Sequence, residues 1–138
     1  MKYAIAALGL MLAACVMGED KPAAPAAEAA ADTGRLLYAK NCLSCHQSDG
    51  YGVPNMQPAI TGGAWVKGEV PALAMFVMTG GFNSAERKES ESHNVMPAFR
   101  QLPDAELAGI LTYIRQTFGN GASPVSEADV AAVRKTLP

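Results

Sequence analysis

Cys42, Cys45 and His46 stand in the order Cys42-Leu43-Ser44-Cys45-His46. On one helical turn, positions 42 and 45 lie on the same side of the backbone, so both thiols can reach one edge of a flat ligand. The imidazole that follows at once can turn beneath that ligand. Cys-x-x-Cys-His is the pattern of covalent c-type haem attachment, in which the two thiols bond to the vinyl groups of one porphyrin edge. It predicts one haem c per chain, held by Cys42 and Cys45, with His46 as an axial ligand to the iron.

Three other chemistries use such residues. A thioredoxin-like dithiol needs a βαβ setting and a depressed thiol pKa, and glycine, proline and helix signals surround this motif instead. Zinc could draw on Cys42, Cys45, His46 and His93, the last two being the chain's only histidines. Adjacent Cys45 and His46 are awkward partners for a tetrahedral site. A disulfide between Cys42 and Cys45 would close a loop too small to add much stability.

The elements that must position the motif come from a chain of 138 residues, enough for one domain with an appendage. With 11 Lys and Arg against 13 Asp and Glu there is no basic excess, so nucleic acid is not an expected partner. The third cysteine has its own context. Lys2 precedes an apolar or small run, Tyr3 to Ala14, that is too short to span a bilayer. The run ends Leu12-Ala13-Ala14-Cys15, which resembles the lipobox of bacterial lipoproteins. That resemblance implies a signal peptide at 1–14, cleavage before Cys15 and acylation of that residue. Three acyl chains exceed what stable anchoring needs. Residues 15–31, rich in Ala and Pro, read as a partly extended tether on the order of 25–50 Å long. Residues 32–138 read as the folded domain.

Asp32 or Thr33 can cap a helix through Gly34-Arg35-Leu36-Leu37-Tyr38-Ala39-Lys40. Gly34, eight residues before Cys42, and Tyr38, four before it, resemble the glycine and aromatic of the first helix in class I cytochromes c. The resemblance implies an all-α, small class I fold whose N- and C-terminal helices cross near the haem, the glycine permitting close approach. Gln57-Pro58-Ala59-Ile60-Thr61-Gly62 resembles the family's P-x-L-x-G segment, with Ile60 in place of leucine. It implies that the Pro58 carbonyl accepts a hydrogen bond from the His46 ring, fixing its tautomer. Trp65, the only tryptophan, is either a contact to a haem propionate or an ordinary aromatic of the core or cleft.

Val70 to Thr79 reads as a helix with Leu73, Phe76 and Val77 on its buried face and Gly80-Gly81 at its end. Polar residues 83–94 read as a solvated loop. Met96-Pro97-Ala98-Phe99 resembles the distal-ligand segment of bacterial class I cytochromes c, which implies Met96 as the second axial ligand. His93, three residues earlier, is its competitor. A thioether favours reduced iron and raises the potential relative to a second histidine.

From Pro103-Asp104 onward, Leu107, Ile110, Leu111, Ile114 and Phe118 form an amphipathic stripe. Ser126 and Asp129 suggest an N-cap for a short extra C-terminal helix carrying Val130, Val133 and Leu137. This tail resembles haem domains that serve copper nitrite reductases and quinoprotein alcohol dehydrogenases. With both axial positions filled, one-electron transfer and not catalysis is expected. The sequence therefore predicts a periplasmic, membrane-tethered monohaem carrier. Its expected partners are a dehydrogenase, a bc-type complex, a nitrite reductase or a terminal oxidase. A fixed cytochrome subunit of a periplasmic dehydrogenase or reductase, or a small haem enzyme or gas sensor in which Met96 does not stay bound, are the alternatives.

Overall fold

The computed structural model describes residues 25–81 and 95–138, with side chains from residue 32. Cys15 with its signal stretch, and His93 in the polar loop, lie outside the described residues. Helix α1, Pro25–Asn41, begins inside the stretch expected to be tether. The reason is local: alanine is the best helix former, and proline suits a first helical position, where its missing N–H costs nothing. Helices α2, Leu43–His46, and α3, Ala64–Lys67, are single turns. Helix α4, Val70–Thr79, is followed by α5, Asp104–Gln116, and α6, Glu127–Arg134. Among the described residues the only β-type pairing is an isolated bridge between Val53 and Gln57. The chain is all-α, as expected, and no described helix is long and apolar enough to cross a membrane.

The α1–α5 pair sets the frame. Gly34 is buried, and a Cβ there would stand 2.4 Å from the Gly109 carbonyl oxygen and 3.1 Å from Tyr113 Cβ. The two helices thus approach backbone to backbone, and Gly109 on α5 is a partner that sequence reasoning does not single out. Beside the crossing, the rings of Tyr38 and Tyr113 lie 5.3 Å apart, and Phe118 completes a triangle at 5.4 and 5.6 Å. Phe118 is not on the helical stripe. The helix ends at Gln116 and Phe118 adopts φ 53, a left-handed conformation that turns the chain and returns its ring to the crossing.

Helix α4 matches its expected bounds and ends at Gly80 in the left-handed region, φ 82. Its buried face differs in one respect: Ala74 and Met78 are fully buried, whereas Phe76 is only half-buried and stacks on Trp65. Leu107 and Leu111 of α5 and Val130 of α6 meet α4 in the same core. The expected cap of α6 is present as a reciprocal box: Asp129 N–H donates to Ser126 Oγ, and Ser126 N–H donates to the Asp129 carboxylate.

Arg115, in the last turn of α5, is 3% exposed, a burial that nothing in its sequence context signals. Its guanidinium donates to the carbonyls of Ser123 at 2.7 Å, Val66 at 2.6 Å and Gly68 at 2.8 Å. A buried cation needs such acceptors, and here they fasten α3 and the 119–125 turn to the end of α5.

The two glycines of the crossing should respond in opposite ways to the same substitution. Gly34→Ala forces a methyl group into the Gly109 carbonyl and should cost about 1–3 kcal/mol in urea unfolding. Gly109→Ala meets nothing closer than 3.7 Å, so relief of a helical glycine should stabilise the protein by up to about 1 kcal/mol.

Candidate functional site

Helix α1 delivers the attachment motif. The Cys42 N–H donates to the Tyr38 carbonyl at 2.8 Å, and the N–H groups of Cys45 and His46 then fold back on the Cys42 carbonyl at 3.1 and 2.9 Å. The motif therefore turns once and stops. Gln47 takes φ 63 at that stop, and the buried Tyr38 hydroxyl donates to its carbonyl at 2.7 Å. Tyr38 thus serves both the crossing and the exit from α2, a role its sequence spacing alone does not reveal.

The loop after His46 returns to it. Gly52 N–H donates to the His46 carbonyl at 3.1 Å, and His46 Nδ1 lies 3.2 Å from the Pro58 carbonyl oxygen. A carbonyl only accepts, so Nδ1 carries the proton and Nε2 keeps its lone pair for a metal. Gly52 makes this geometry possible: at φ 66, a Cβ there would stand 2.3 Å from the Gln57 oxygen and 2.8 Å from the Pro58 oxygen. The next residues are tied in by Asn120, whose amide donates to the Ile60 and Ile114 carbonyls.

Electrostatics at this motif disfavours a thiolate at Cys42, and with it both redox exchange and thiolate ligation, and favours a neutral His46. Burial pushes the Cys42 thiol up to about 11, and the adjacent Cys45 adds to the shift. A dithiol oxidoreductase needs the reverse, a depressed thiol. Burial lowers the His46 pKa, and the Pro58 hydrogen bond partly offsets this. A neutral imidazole is the form that binds a metal. Tyr38 is raised chiefly by burial, then by Cys42, Tyr113 and Asp49.

Met96 sits on the far side of the sequence but against the same core as Cys42, half-buried. Its segment is anchored by the Phe99 N–H, which donates to the Val77 carbonyl at 3.1 Å. Gly80, at the end of α4, lies under the segment's backbone. A Cβ there would stand 2.8 Å from the Met96 oxygen and 3.0 Å from the Ala98 nitrogen. Trp65 is half-exposed on α3, its ring stacked on Phe76 at 5.4 Å.

The donor set suits haem c. Cys42 and Cys45 are unbridged thiols within one turn, and the neighbouring imidazole has Nδ1 committed to Pro58, which leaves the Nε2 lone pair able to bind a metal. Among the described residues no three Cys, His, Asp or Glu side chains converge as a metal site, and His93, the fourth zinc candidate, lies outside them.

Comparison with known proteins agrees. Residues 29–114 match the family described as "Cytochrome C oxidase, cbb3-type, subunit III". The chain is 34% identical over 108 residues to the cytochrome c subunit of a quinone-type alcohol dehydrogenase from Gluconobacter oxydans, covering 76% of this chain and 22% of that subunit. It is 34% identical over 110 residues to the gluconate 2-dehydrogenase cytochrome c subunit of Pantoea cypripedii, covering 75% and 24%. It is 31% identical over 110 residues to cytochrome c-552 of Thermus thermophilus, covering 73% and 74%. The chain therefore spans less than a quarter of the length of the two dehydrogenase subunits, but most of the c-552.

Gly80→Ala tests the support beneath Met96. A left-handed residue with a Cβ facing the Met96 backbone should cost about 2–3 kcal/mol in denaturant unfolding.

Proposed function

This chain belongs to the class I monohaem cytochrome c family, and we propose that it shuttles single electrons between periplasmic redox partners from a lipid tether. Haem c is bound covalently through Cys42 and Cys45, and when bound it supplies a one-electron couple. We assign His46 and Met96 as the axial ligands. The observation that carries this is the His46–Pro58 hydrogen bond, which commits Nδ1 and leaves Nε2 for iron. Met96 is supported by its Met-Pro-Ala-Phe context and by a backbone held at Gly80 and Val77. Trp65, half-exposed on α3 and stacked on Phe76, fits a propionate contact and an ordinary cleft aromatic alike.

The residues' work is to hold, orient and exclude water. His46 keeps its orientation because its Nδ1–H donates to the Pro58 carbonyl. Met96 keeps a neutral thioether at hand in both oxidation states, so little has to move when an electron arrives. Encounters with partners should be small and transient, as redox contacts are. The tether reading rests on Leu12-Ala13-Ala14-Cys15. A dehydrogenase, bc-type complex, nitrite reductase or terminal oxidase fits as donor or acceptor. A second reading, a cytochrome subunit fixed to one dehydrogenase, is favoured by the identity to two dehydrogenase cytochrome subunits.

The pyridine haemochrome spectrum of periplasmically matured protein should report one c-type haem per chain; a colourless product overturns the reading. Met96→Ala should retain that haem, lower the reduction potential and admit exogenous ligands. If His93→Ala does this and Met96→Ala does not, the ligand assignment is wrong. Cys15→Ser should move the cytochrome from the membrane fraction to the soluble one, and an unchanged distribution refutes the tether. Co-purification with a dehydrogenase at fixed ratio would select the subunit reading over the shuttle.

A further inference from the structure

The segment carrying Met96 is held from two directions. One hold is the end of α4, already described. The other comes from α6, which lies beyond the residues matched by the family model. Arg134, the last residue of α6, donates from Nε to Asp104 Oδ1 at 2.6 Å and from Nη2 to the Leu102 carbonyl at 2.7 Å. Its Nη1 donates to the Arg100 carbonyl. Arg100 answers by donating from Nη2 to the Pro138 carbonyl at 3.0 Å. One planar guanidinium therefore grips alternate carbonyls of the chain just after Met96 and the first residue of α5. A lysine ammonium is a point donor without that fork.

The grip is only as firm as the helix behind it. Val130 is fully buried, Val133 is 6% exposed, and the Ser126–Asp129 box closes the opposite end. The Arg134–Asp104 ion pair is itself partly open to solvent, with side chains 31% and 23% exposed, so screening weakens it. The two carbonyl bonds add to it directly on the segment, the Arg100 one exposed and the Leu102 one half-buried. Phe99 N–H on Val77 and Arg134 on Arg100 and Leu102 bracket the stretch immediately following Met96.

We propose that Arg134 is a positioning residue for Met96: by clamping residues 100–104 it keeps the thioether from leaving the iron. This rests on the reading of Met96 as axial ligand. The clamp predicts that ligand loss, and not merely global stability, depends on a side chain remote in sequence.

The test uses the full-length holoprotein and three readouts. These are the sulfur-to-iron charge-transfer band of the ferric form, the rate of imidazole uptake by ferric iron, and urea unfolding. Arg134→Met and Arg134→Lys should each speed imidazole uptake roughly tenfold, about the worth of one charge-assisted hydrogen bond. The band should fade at lower temperature than in the wild type. Asp104→Asn, which leaves the carbonyl bonds, should speed uptake less. Ile114→Val thins the core of α5 but touches none of these bonds, so it should lower stability without changing uptake. Should Arg134→Met not fold, Arg134→Lys tests the clamp by the same readouts. Unchanged uptake in the Arg134 variants, or equal acceleration by Ile114→Val, overturns the clamp while leaving Met96 as ligand. A wild-type protein without the band overturns both.

Discussion

Backbone-to-backbone approach of α1 and α5 is the constraint on which the rest depends. Only a glycine at position 34 lets the Gly109 carbonyl come so near. That closeness brings the Tyr38 and Tyr113 rings together at a tilt and fixes where α1 ends, and α1 runs directly into Cys42. The direction in which the attachment motif emerges is therefore decided eight residues upstream of it. Tyr38 carries the constraint forward: its ring belongs to the crossing, and its hydroxyl holds the carbonyl of Gln47, one residue past His46.

From that point the site is built largely on backbone carbonyls. Pro58 accepts a hydrogen bond from the His46 ring, Val77 holds the Phe99 amide, and Val66, Gly68 and Ser123 accept from Arg115. Asn120 bonds two more. Such acceptors are neutral, so they orient cations and imidazoles without adding a second ionisable partner. They are also part of the main chain, which moves less readily than a long side chain. For a carrier whose ligands must stay in place in both oxidation states, this is a suitable support.

The same feature explains what is legible in the sequence. Cys42, Cys45 and His46 stand together because attachment needs them together, and the bounds of α4 and the start of α5 follow from proline, glycine and apolar spacing. The Pro58 acceptor is legible only through resemblance to a family segment. Arg115 and Arg134 are not legible, because the carbonyls and carboxylate they meet belong to residues 30 to 49 positions away for their distant partners. Helix over Pro25–Ala31 escapes a reading that weighs prolines above alanine's propensity. Phe118 reads as helical because its spacing fits the stripe; its left-handed backbone reaches the same neighbours by another route.

The central claim is that one methionine closes the iron opposite His46. Proton NMR of the reduced holoprotein, with methyl-labelled methionine, tests it most directly. A methyl group lying over the porphyrin face is shifted strongly upfield by the ring current. The account predicts one such resonance per haem, lost in the Met96→Leu variant; its absence from the wild type, or its survival in that variant, would contradict it.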